Sequence, residues 1–206
     1  MRNEMEDNKP RIAVLISGTG SNLQALIDAT RAGILTAEIA LVVSSKGKAY
    51  GLERAAADGI ETMVFKSKKY LSPEEAGRDL VAKLREHRID YVALAGFLSL
   101  LPVVVVRAFR NHIVNIHPAL LPRYGGKGMY GHFVHEAVLA SGDKESGPTV
   151  HIVDEIYDHG KILEQAKVPV LSDDTPDTLA ARVLEQEHKL YPRVLQKLIN
   201  GEYALD

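Results

Sequence analysis

The chain has 206 residues, of which 46% are hydrophobic, and this is enough to bury one substantial core. Its 25 lysines and arginines stand against 27 aspartates and glutamates, so the net charge of −2 provides no basic surface for nucleic acid. Cysteine is absent, which excludes disulfides and thiolate catalysis, and no apolar run is long enough to span a membrane. Residues 1–10 are polar and do not resemble a signal peptide, so a cytoplasmic protein without a membrane partner is expected.

The first half of the chain alternates strand-like and helix-like patterns. In chain order they predict a strand over Arg11–Ser17, a helix over Asn22–Ala32, a strand over Glu38–Ser44, a helix through Leu52 and Ala56, a strand over Thr62–Phe65, a helix over Pro73–His87 with Ser72 as N-cap, a strand over Asp90–Ala95, a helix over Pro102–Phe109 and a strand over His112–Ile116. This order is typical of a parallel sheet with helices on both faces.

The second half departs from that alternation. Its patterns predict a loop with four glycines over Arg123–Gly131, a helix over Phe133–Ala140, two antiparallel strands over Thr149–Val153 and Ile162–Val170, and a last helix over Thr175–Asn200 capped by Asp174 or Thr175. Pro192 lies inside the last helix and is expected to break or kink it.

These elements predict an α/β fold with a mostly parallel, doubly wound, Rossmann-like sheet and antiparallel strands added in the C-terminal part. A single domain is expected over residues 1–206, with residues 1–10 as a flexible tail and with two halves over residues 11–122 and 123–206.

The segment Asn115-Ile116-His117-Pro118 carries the clearest chemistry. Side chains alternate along a strand, so Asn115 and His117 share a face while Ile116 points into the core. Pro118 cannot continue a strand ladder, which should leave the polar pair at the rim of the sheet. An amide beside an imidazole can donate hydrogen bonds to an oxygen that gains negative charge, with Asp158 as the candidate carboxylate that orients the imidazole. The pattern indicates chemistry on an acyl-type carbonyl, and a purely structural hydrogen-bonded pair is the alternative.

A glycine loop, Gly18-Thr19-Gly20-Ser21-Asn22, connects the first predicted strand and helix. Exposed amides at a helix N-terminus, with a hydroxyl and a side-chain amide beside them, suit a phosphate group. The loop is not the dinucleotide fingerprint, because Leu23 stands where its third glycine would fall, and no Lys-Ser/Thr pair closes it as in a Walker loop. A tight turn without a ligand is the alternative that the loop alone leaves open.

Several histidines raise the question of a metal. His132 and His135 precede Glu136, an arrangement that matches neither zinc motif in which a glutamate lies within a histidine pair. No metal is therefore predicted, and these two histidines are expected beside the glycine-rich loop. His151 lies in a predicted strand and is expected to be a core histidine with its hydrogen bonds satisfied. His159 is expected to lie in a turn and to face solvent.

Four segments together resemble a known family: Ile16–Gln24, Leu94–Phe97, Asn115–Pro122 and Val168–Val170. They resemble the phosphoribosylglycinamide formyltransferases, folate-dependent enzymes of purine synthesis, and the resemblance covers about Arg11 to Leu198. The Asn-x-His-Pro-x-Leu-Leu-Pro segment is common to formyltetrahydrofolate-using transferases and their hydrolase relatives. The Ser-Gly-x-Gly-Ser-Asn-Leu segment narrows the match to the glycinamide ribonucleotide family.

The resemblance implies transfer of the formyl group of 10-formyltetrahydrofolate to the amine of glycinamide ribonucleotide, without a metal. It also implies that residues 11–122 form a nucleotide-binding half and residues 123–206 a folate-binding and catalytic half, and it leaves a homodimer open. The implied site residues are catalytic Asn115, His117 and Asp158; substrate-binding Gly20, Ser21, Asn22 and Glu187; and folate-binding Leu98, Ser99, Leu100, Leu101, Asn115, Val153, Asp154, Glu155, Ile156, Tyr157 and Asp158. Two features depart from the family pattern: Leu184 replaces a polar substrate contact, and the Tyr124–His132 loop is longer and richer in glycine.

On this reading, Asn115 and a protonated His117 stabilise the oxyanion, while Asp158 favours the imidazolium and accepts the amine proton directly or through water. Three alternatives remain. A formyltetrahydrofolate hydrolase would use the same residues with water but carries an extra N-terminal regulatory domain. Methionyl-tRNA formyltransferase needs a basic C-terminal RNA-binding domain, and a phosphate-binding module would bind ligand without turnover.

Overall fold

The computed structural model describes residues 9–205, so the predicted flexible tail falls largely outside the described residues. The strands are β1 (Arg11–Ile16), β2 (Glu38–Ser44), β3 (Thr62–Val64), β4 (Tyr91–Leu94), β5 (Ile113–His117), β6 (Glu145–Ser146), β7 (Thr149–Ile152), β8 (Ile162–Gln165) and β9 (Val168–Pro169). The helices are α1 (Ser21–Arg31), α2 (Tyr50–Ala57), α3 (Pro73–Glu86), α4 (Val103–Ala108), α5 (His132–Ser141) and α6 (Pro176–Ile199). Over residues 9–205, none of these helices has the length and apolar character that crossing a membrane requires.

Seven of the strands form one sheet in the order β3-β2-β1-β4-β5-β7-β8, and β6 and β9 form a separate two-stranded sheet. β1 pairs in parallel with β2 and β4, and β2 pairs in parallel with β3. β7 pairs antiparallel with both β5 and β8. The predicted α/β fold, a mostly parallel sheet with antiparallel strands added in the C-terminal part, is confirmed.

The chain divides into two compact units, with the boundary between Ile113 and Val114. In the first unit, the side chains of β1 from Ile12 to Ile16 are completely buried, as expected of a parallel strand covered on both faces. α3 begins as predicted, because the Ser72 hydroxyl accepts a hydrogen bond from the Glu75 amide at 3.1 Å. The prediction of one domain with halves over residues 11–122 and 123–206 stays a prediction.

The second unit is built around α5, α6 and the antiparallel strands. Four buried side chains form its core cluster: Val138, Val168, Leu179 and Val183. Tyr191 of α6 is completely buried, and its hydroxyl donates a hydrogen bond to the Val114 carbonyl at 3.2 Å. This bond ties the middle of the last helix to the strand that carries Asn115 and His117.

The sequence predicted a break or a kink of the last helix at Pro192. The break is wrong, since α6 continues through this residue to Ile199, and the kink stays a prediction. A proline inside a helix costs about 3 kcal/mol because it removes one hydrogen bond and crowds the preceding turn. Tyr191, directly before Pro192, and Val194, two residues after it, are completely buried, and their burial offsets this local cost. The cap is Thr175, whose hydroxyl accepts from the Thr178 amide at 3.3 Å.

The single strand predicted over Ile162–Val170 is also wrong, because this stretch forms β8 and β9 in two different sheets. β8 pairs with β7, whereas β9 pairs with β6, a strand that the sequence patterns did not predict. The change of partner occurs at Ala166, whose amide donates to the Pro148 carbonyl at 3.1 Å. The alternation of apolar residues continues from β8 into β9. Periodicity therefore could not locate the point at which the chain changes its pairing partner.

Candidate active site

β5 carries Asn115 and His117, and β7 lies antiparallel beside it. In the register of this pair, Asn115 is opposite His151 and His117 is opposite Thr149. The strand ends at His117, one residue later than predicted. His117 therefore lies at the end of its strand, as predicted, but it is only 3% exposed because the loop that follows encloses the imidazole.

The turn after β7 brings a carboxylate to this pair. Oδ2 of Asp158 lies 3.6 Å from Nδ1 of His117, and Oδ1 lies 3.5 Å from Nδ2 of Asn115. The Asp158 side chain is 12% exposed. The structure therefore brings together the amide, the imidazole and the carboxylate that the sequence singled out.

His151 joins this cluster. It is the buried, hydrogen-bonded strand histidine that the sequence predicted, but its contact with Asn115 was not expected. It is 2% exposed, and its Nδ1 lies 2.8 Å from the Ile152 carbonyl, which can only accept a hydrogen bond. In the neutral ring Nε2 is then free to accept from Asn115 Nδ2 at 3.1 Å, and it lies 3.5 Å from Asp158 Oδ1. Only the register between β5 and β7, which places His151 opposite Asn115, reveals this contact.

The turn that carries Asp158 is organised by Asp154. Its Oδ1 accepts from the Ile156 amide at 2.8 Å, and its Oδ2 lies 2.8 Å from Nδ1 of His159. Asp158 has a φ of +51°, a left-handed conformation that is uncommon outside glycine. The His159 side chain is 67% exposed, which confirms that it faces solvent.

The glycine-rich loop closes over the cluster. The Tyr124 carbonyl lies 2.8 Å from Nε2 of His117, and the Gly126 amide donates to Asp158 Oδ2 at 2.9 Å. A Cβ at Gly125 would stand 2.6 Å from Cδ2 of Leu121 and 3.2 Å from Cβ of Asp158, so glycine allows this close approach. Because a carbonyl only accepts, Nε2 of His117 carries a hydrogen in this arrangement.

Burial and charge act in opposite directions on the two ionisable partners. Burial lowers the pKa of His117 below its ordinary value, although the Asp158 charge and the Tyr124 carbonyl raise it. Burial raises the pKa of Asp158, but contacts with His151, His117 and the Gly126 amide together hold that pKa below its ordinary value. Both shifts act in the direction of a carboxylate on Asp158 and a neutral imidazole on His117, and a protonated His117 at the oxyanion stays a prediction.

His132 and His135 lie on α5, directly after the glycine-rich loop, as predicted. The His132 side chain is 51% exposed, and its Nε2 lies 3.3 Å from Glu136. His135 is 4% exposed, and its Nδ1 has no hydrogen-bond partner among the described residues. Burial, with smaller contributions from His132 and His117, lowers the pKa of His135 to about 4. Among residues 9–205, no group of three or more histidine, aspartate or glutamate side chains is arranged to hold a metal.

The predicted phosphate loop lies in the first unit, where Gly20 is the N-cap of α1 with a φ of +72°. A Cβ at Gly20 would stand 2.6 Å from the Gly51 Cα, so the loop packs directly on the start of α2. Asn22 is 8% exposed. Arg54, which no sequence pattern indicated, donates from Nε to the Thr19 carbonyl at 2.9 Å and from Nη1 to Gln24 at 3.1 Å. This residue supplies a positive charge that the loop itself lacks.

The predicted folate-contact segments differ in exposure. Leu98 and Leu100 are 51% and 61% exposed, whereas Leu101 is 6% exposed. In the turn after β7, the exposed residues are Glu155, Ile156 and Tyr157, while Val153 and Asp154 are half-buried. Ser99 is half-buried, as is Ser21 of the phosphate loop, and the predicted substrate contact Glu187 is 7% exposed on α6.

These features define a class of α/β protein in which a buried imidazole meets a half-buried amide and a half-buried carboxylate at the end of a central strand. The chain matches the formyl transferase family over residues 10–195. It therefore belongs to the formyl transferase family.

Named relatives cover nearly all of the chain. It is 45% identical over 198 residues to the chloroplastic phosphoribosylglycinamide formyltransferase of Vigna unguiculata, covering 96% of this chain and 64% of that protein. The phosphoribosylglycinamide formyltransferase of Escherichia coli is 40% identical over 194 residues, covering 94% of this chain and 89% of its own length. The crystal structure of glycinamide ribonucleotide transformylase 1 from Symbiobacterium toebii has a TM-score of 0.90 at 38% identity, covering 96% and 91% of the two chains. The chain thus spans just under two thirds of the plant relative.

Proposed function

We propose that this protein transfers the formyl group of 10-formyltetrahydrofolate to the amine of glycinamide ribonucleotide, a step of purine synthesis. The observation that carries the proposal is the convergence of Asn115, His117 and Asp158 within hydrogen-bonding or ion-pair range in a formyl transferase fold. The names of the relatives support the choice of substrates. A cytoplasmic location and a homodimer stay predictions.

In the proposed reaction the amine nitrogen attacks the formyl carbon, and the carbonyl oxygen becomes an oxyanion. Asn115 Nδ2 and His117 Nε2 carry the hydrogens that can stabilise this charge, and a well-aimed donor of this kind is typically worth about 3 kcal/mol. The Tyr124 carbonyl engages Nε2 in the resting protein at 2.8 Å. An oxyanion therefore receives that hydrogen only when the carbonyl withdraws.

The amine loses a proton as the new carbon–nitrogen bond forms, and the folate nitrogen gains one as its bond to the formyl carbon breaks. We assign the transfer to the His117–Asp158 pair, because Nδ1 of the neutral ring faces the carboxylate at 3.6 Å. A proton that arrives on Nδ1 creates an imidazolium, and the neighbouring Asp158 carboxylate stabilises this positive charge. The two groups titrate as a coupled pair, so the proton belongs to both.

Substrate binding is assigned to separate parts of the chain. Gly20, Ser21 and Asn22 are proposed to hold the ribonucleotide phosphate and ribose, with Glu187 as a further contact. Residues 98–101 and 153–158, together with Asn115, are proposed to line the folate pocket. Arg54 supports the phosphate assignment, since its guanidinium is anchored on the same loop through the Thr19 carbonyl.

The test is an assay of the purified protein with 10-formyltetrahydrofolate, run with and without glycinamide ribonucleotide. Formylated ribonucleotide should form together with tetrahydrofolate in equal amounts, and only when both substrates are present. Formate release without the ribonucleotide would instead identify a hydrolase. Binding of either ligand without any product would contradict a catalytic function.

A further inference from the structure

Ser17 stands between β1 and the phosphate loop, and its hydroxyl connects three segments of the first unit. It is 2% exposed. Its Oγ accepts a hydrogen bond from the Leu98 amide at 2.8 Å and lies 2.6 Å from the Oγ of Ser45, which directly follows β2. After accepting from the Leu98 amide, the Ser17 hydroxyl keeps one hydrogen and one lone pair, so either serine can donate in the Ser17–Ser45 bond.

The segment whose Leu98 amide donates this hydrogen bond has few other backbone hydrogen bonds. Residues 96–101 form neither helix nor strand, and Gly96 turns the chain with a φ of +74°. Among the described residues, no other backbone amide of this segment donates a hydrogen bond. Leu98 and Leu100 nevertheless present exposed apolar side chains, against which the flat face of an aromatic ring system can pack when it binds.

We infer that the Ser17 hydroxyl is a positioning residue for the folate co-substrate, because it holds the backbone of residues 96–101 in the conformation that binds the pterin. The inference rests on the proposed function, which assigns residues 98–101 to the folate pocket. Ser17 touches neither reacting atoms nor folate in this assignment. It acts through the Leu98 amide, and it therefore governs affinity for the folate rather than the rate of the chemical step.

Ser17→Ala is the direct test, with Ser45→Ala as the matched control. Ser17→Ala removes the acceptor of the Leu98 amide, whereas Ser45→Ala removes a neighbouring hydroxyl and leaves that acceptor in place. Titration of each purified variant with 10-formyltetrahydrofolate should show about tenfold weaker binding for Ser17→Ala and near wild-type binding for Ser45→Ala. Single-turnover rates at saturating folate should stay close to wild type in both variants.

Amide hydrogen exchange provides a readout that does not depend on activity. The Leu98 amide should exchange markedly faster in Ser17→Ala than in wild type or Ser45→Ala, and Ser17→Thr, which restores a hydroxyl, should recover protection and folate affinity. Unchanged folate affinity in a folded Ser17→Ala protein would overturn the inference, as would an equal loss of affinity for folate and ribonucleotide. If wild-type protein binds no 10-formyltetrahydrofolate, the proposed function fails first and the inference falls with it.

Discussion

Nδ1 of His117 and Oδ2 of Asp158 face each other at 3.6 Å, with 4% of the imidazole and 12% of the carboxylate side chain exposed. This separation is longer than a hydrogen bond, so the resting contact is mainly electrostatic. The low exposure leaves little water to screen it. A proton on His117 is therefore stabilised by Asp158 more strongly than at a protein surface.

Asp158→Asn keeps the size of the side chain and removes this charge. Turnover should fall at least about a hundredfold, because an imidazolium formed on His117 loses its partner, while folate binding should survive. Steady-state kinetics and a folate titration measure the two effects, with exposed Asp173→Asn as a control for the change in net charge. Near-normal turnover would remove Asp158 from the mechanism.

His117→Ala removes the proposed donor to the oxyanion and should lower the single-turnover rate about a hundredfold or more. His117 is only 3% exposed. Its removal leaves a cavity, so the variant should also lose about 1–3 kcal/mol of stability. His117→Gln fills more of that volume and separates the two effects. Wild-type rates in both folded variants would show that the imidazole is not catalytic.

His151→Leu tests the contact with Asn115 that the sequence did not predict. The change removes the acceptor that lies 3.1 Å from Asn115 Nδ2, so the amide should become less well oriented and turnover should drop about tenfold. Substrate affinities should change less than the rate constant. His159→Gln is the control. His159 is an exposed histidine in the turn that follows β7, and the variant should retain activity. A His151→Leu enzyme as active as this control would contradict an orienting role.

Asn22→Ala tests the phosphate loop. If the loop holds the ribonucleotide, its affinity should fall at least about tenfold, whereas affinity for 10-formyltetrahydrofolate should hardly change. Calorimetric titration of the folded variant with each ligand makes the comparison within one protein. Equal losses for the two ligands would point to a general disturbance of the fold and count against the assignment.

His135 should make stability depend on pH. Its pKa is about 4 in the folded chain, against an ordinary value of 6.5, so between these values the unfolded chain binds a proton that the folded chain does not. Stability contributed by the neutral ring is therefore present above pH 6.5 and is lost as the pH falls toward 4, by up to about 3 kcal/mol. Urea unfolding at pH 7 and pH 4.5 measures this loss.

The control for the pH effect is a pair of variants. His135→Leu should flatten the dependence, because it replaces a buried ring whose Nδ1 has no partner among the described residues. His132→Gln, at a half-exposed position on the same helix, removes one of the smaller contributions to the low pKa of His135 and should weaken the dependence only slightly, because burial is the larger cause. The same pH dependence in His135→Leu and wild type would assign the effect to other groups, of which buried His117 is the first candidate.

Local signals determined most of the secondary structure. Apolar periodicity located β1, β2 and α3, and Ser72 marked the start of α3, because strand alternation and helix capping depend on residues only a few positions apart. The same reasoning placed Asn115 and His117 on one face and indicated Asp158 as the carboxylate. Family resemblance, rather than periodicity, added the substrates and the remaining binding residues.

The tertiary structure decided what depends on distant partners. The register of β5 against β7 brought His151 to Asn115, and the path of the glycine-rich loop set the Tyr124 carbonyl on His117. Helix α6 continued through Pro192 because long-range burial outweighed a local cost. The sequence by itself determined which residues could perform the chemistry. Packing decided their exposure, their hydrogen-bond partners and their pKa values, because each of these depends on groups that are close in space and remote in the chain.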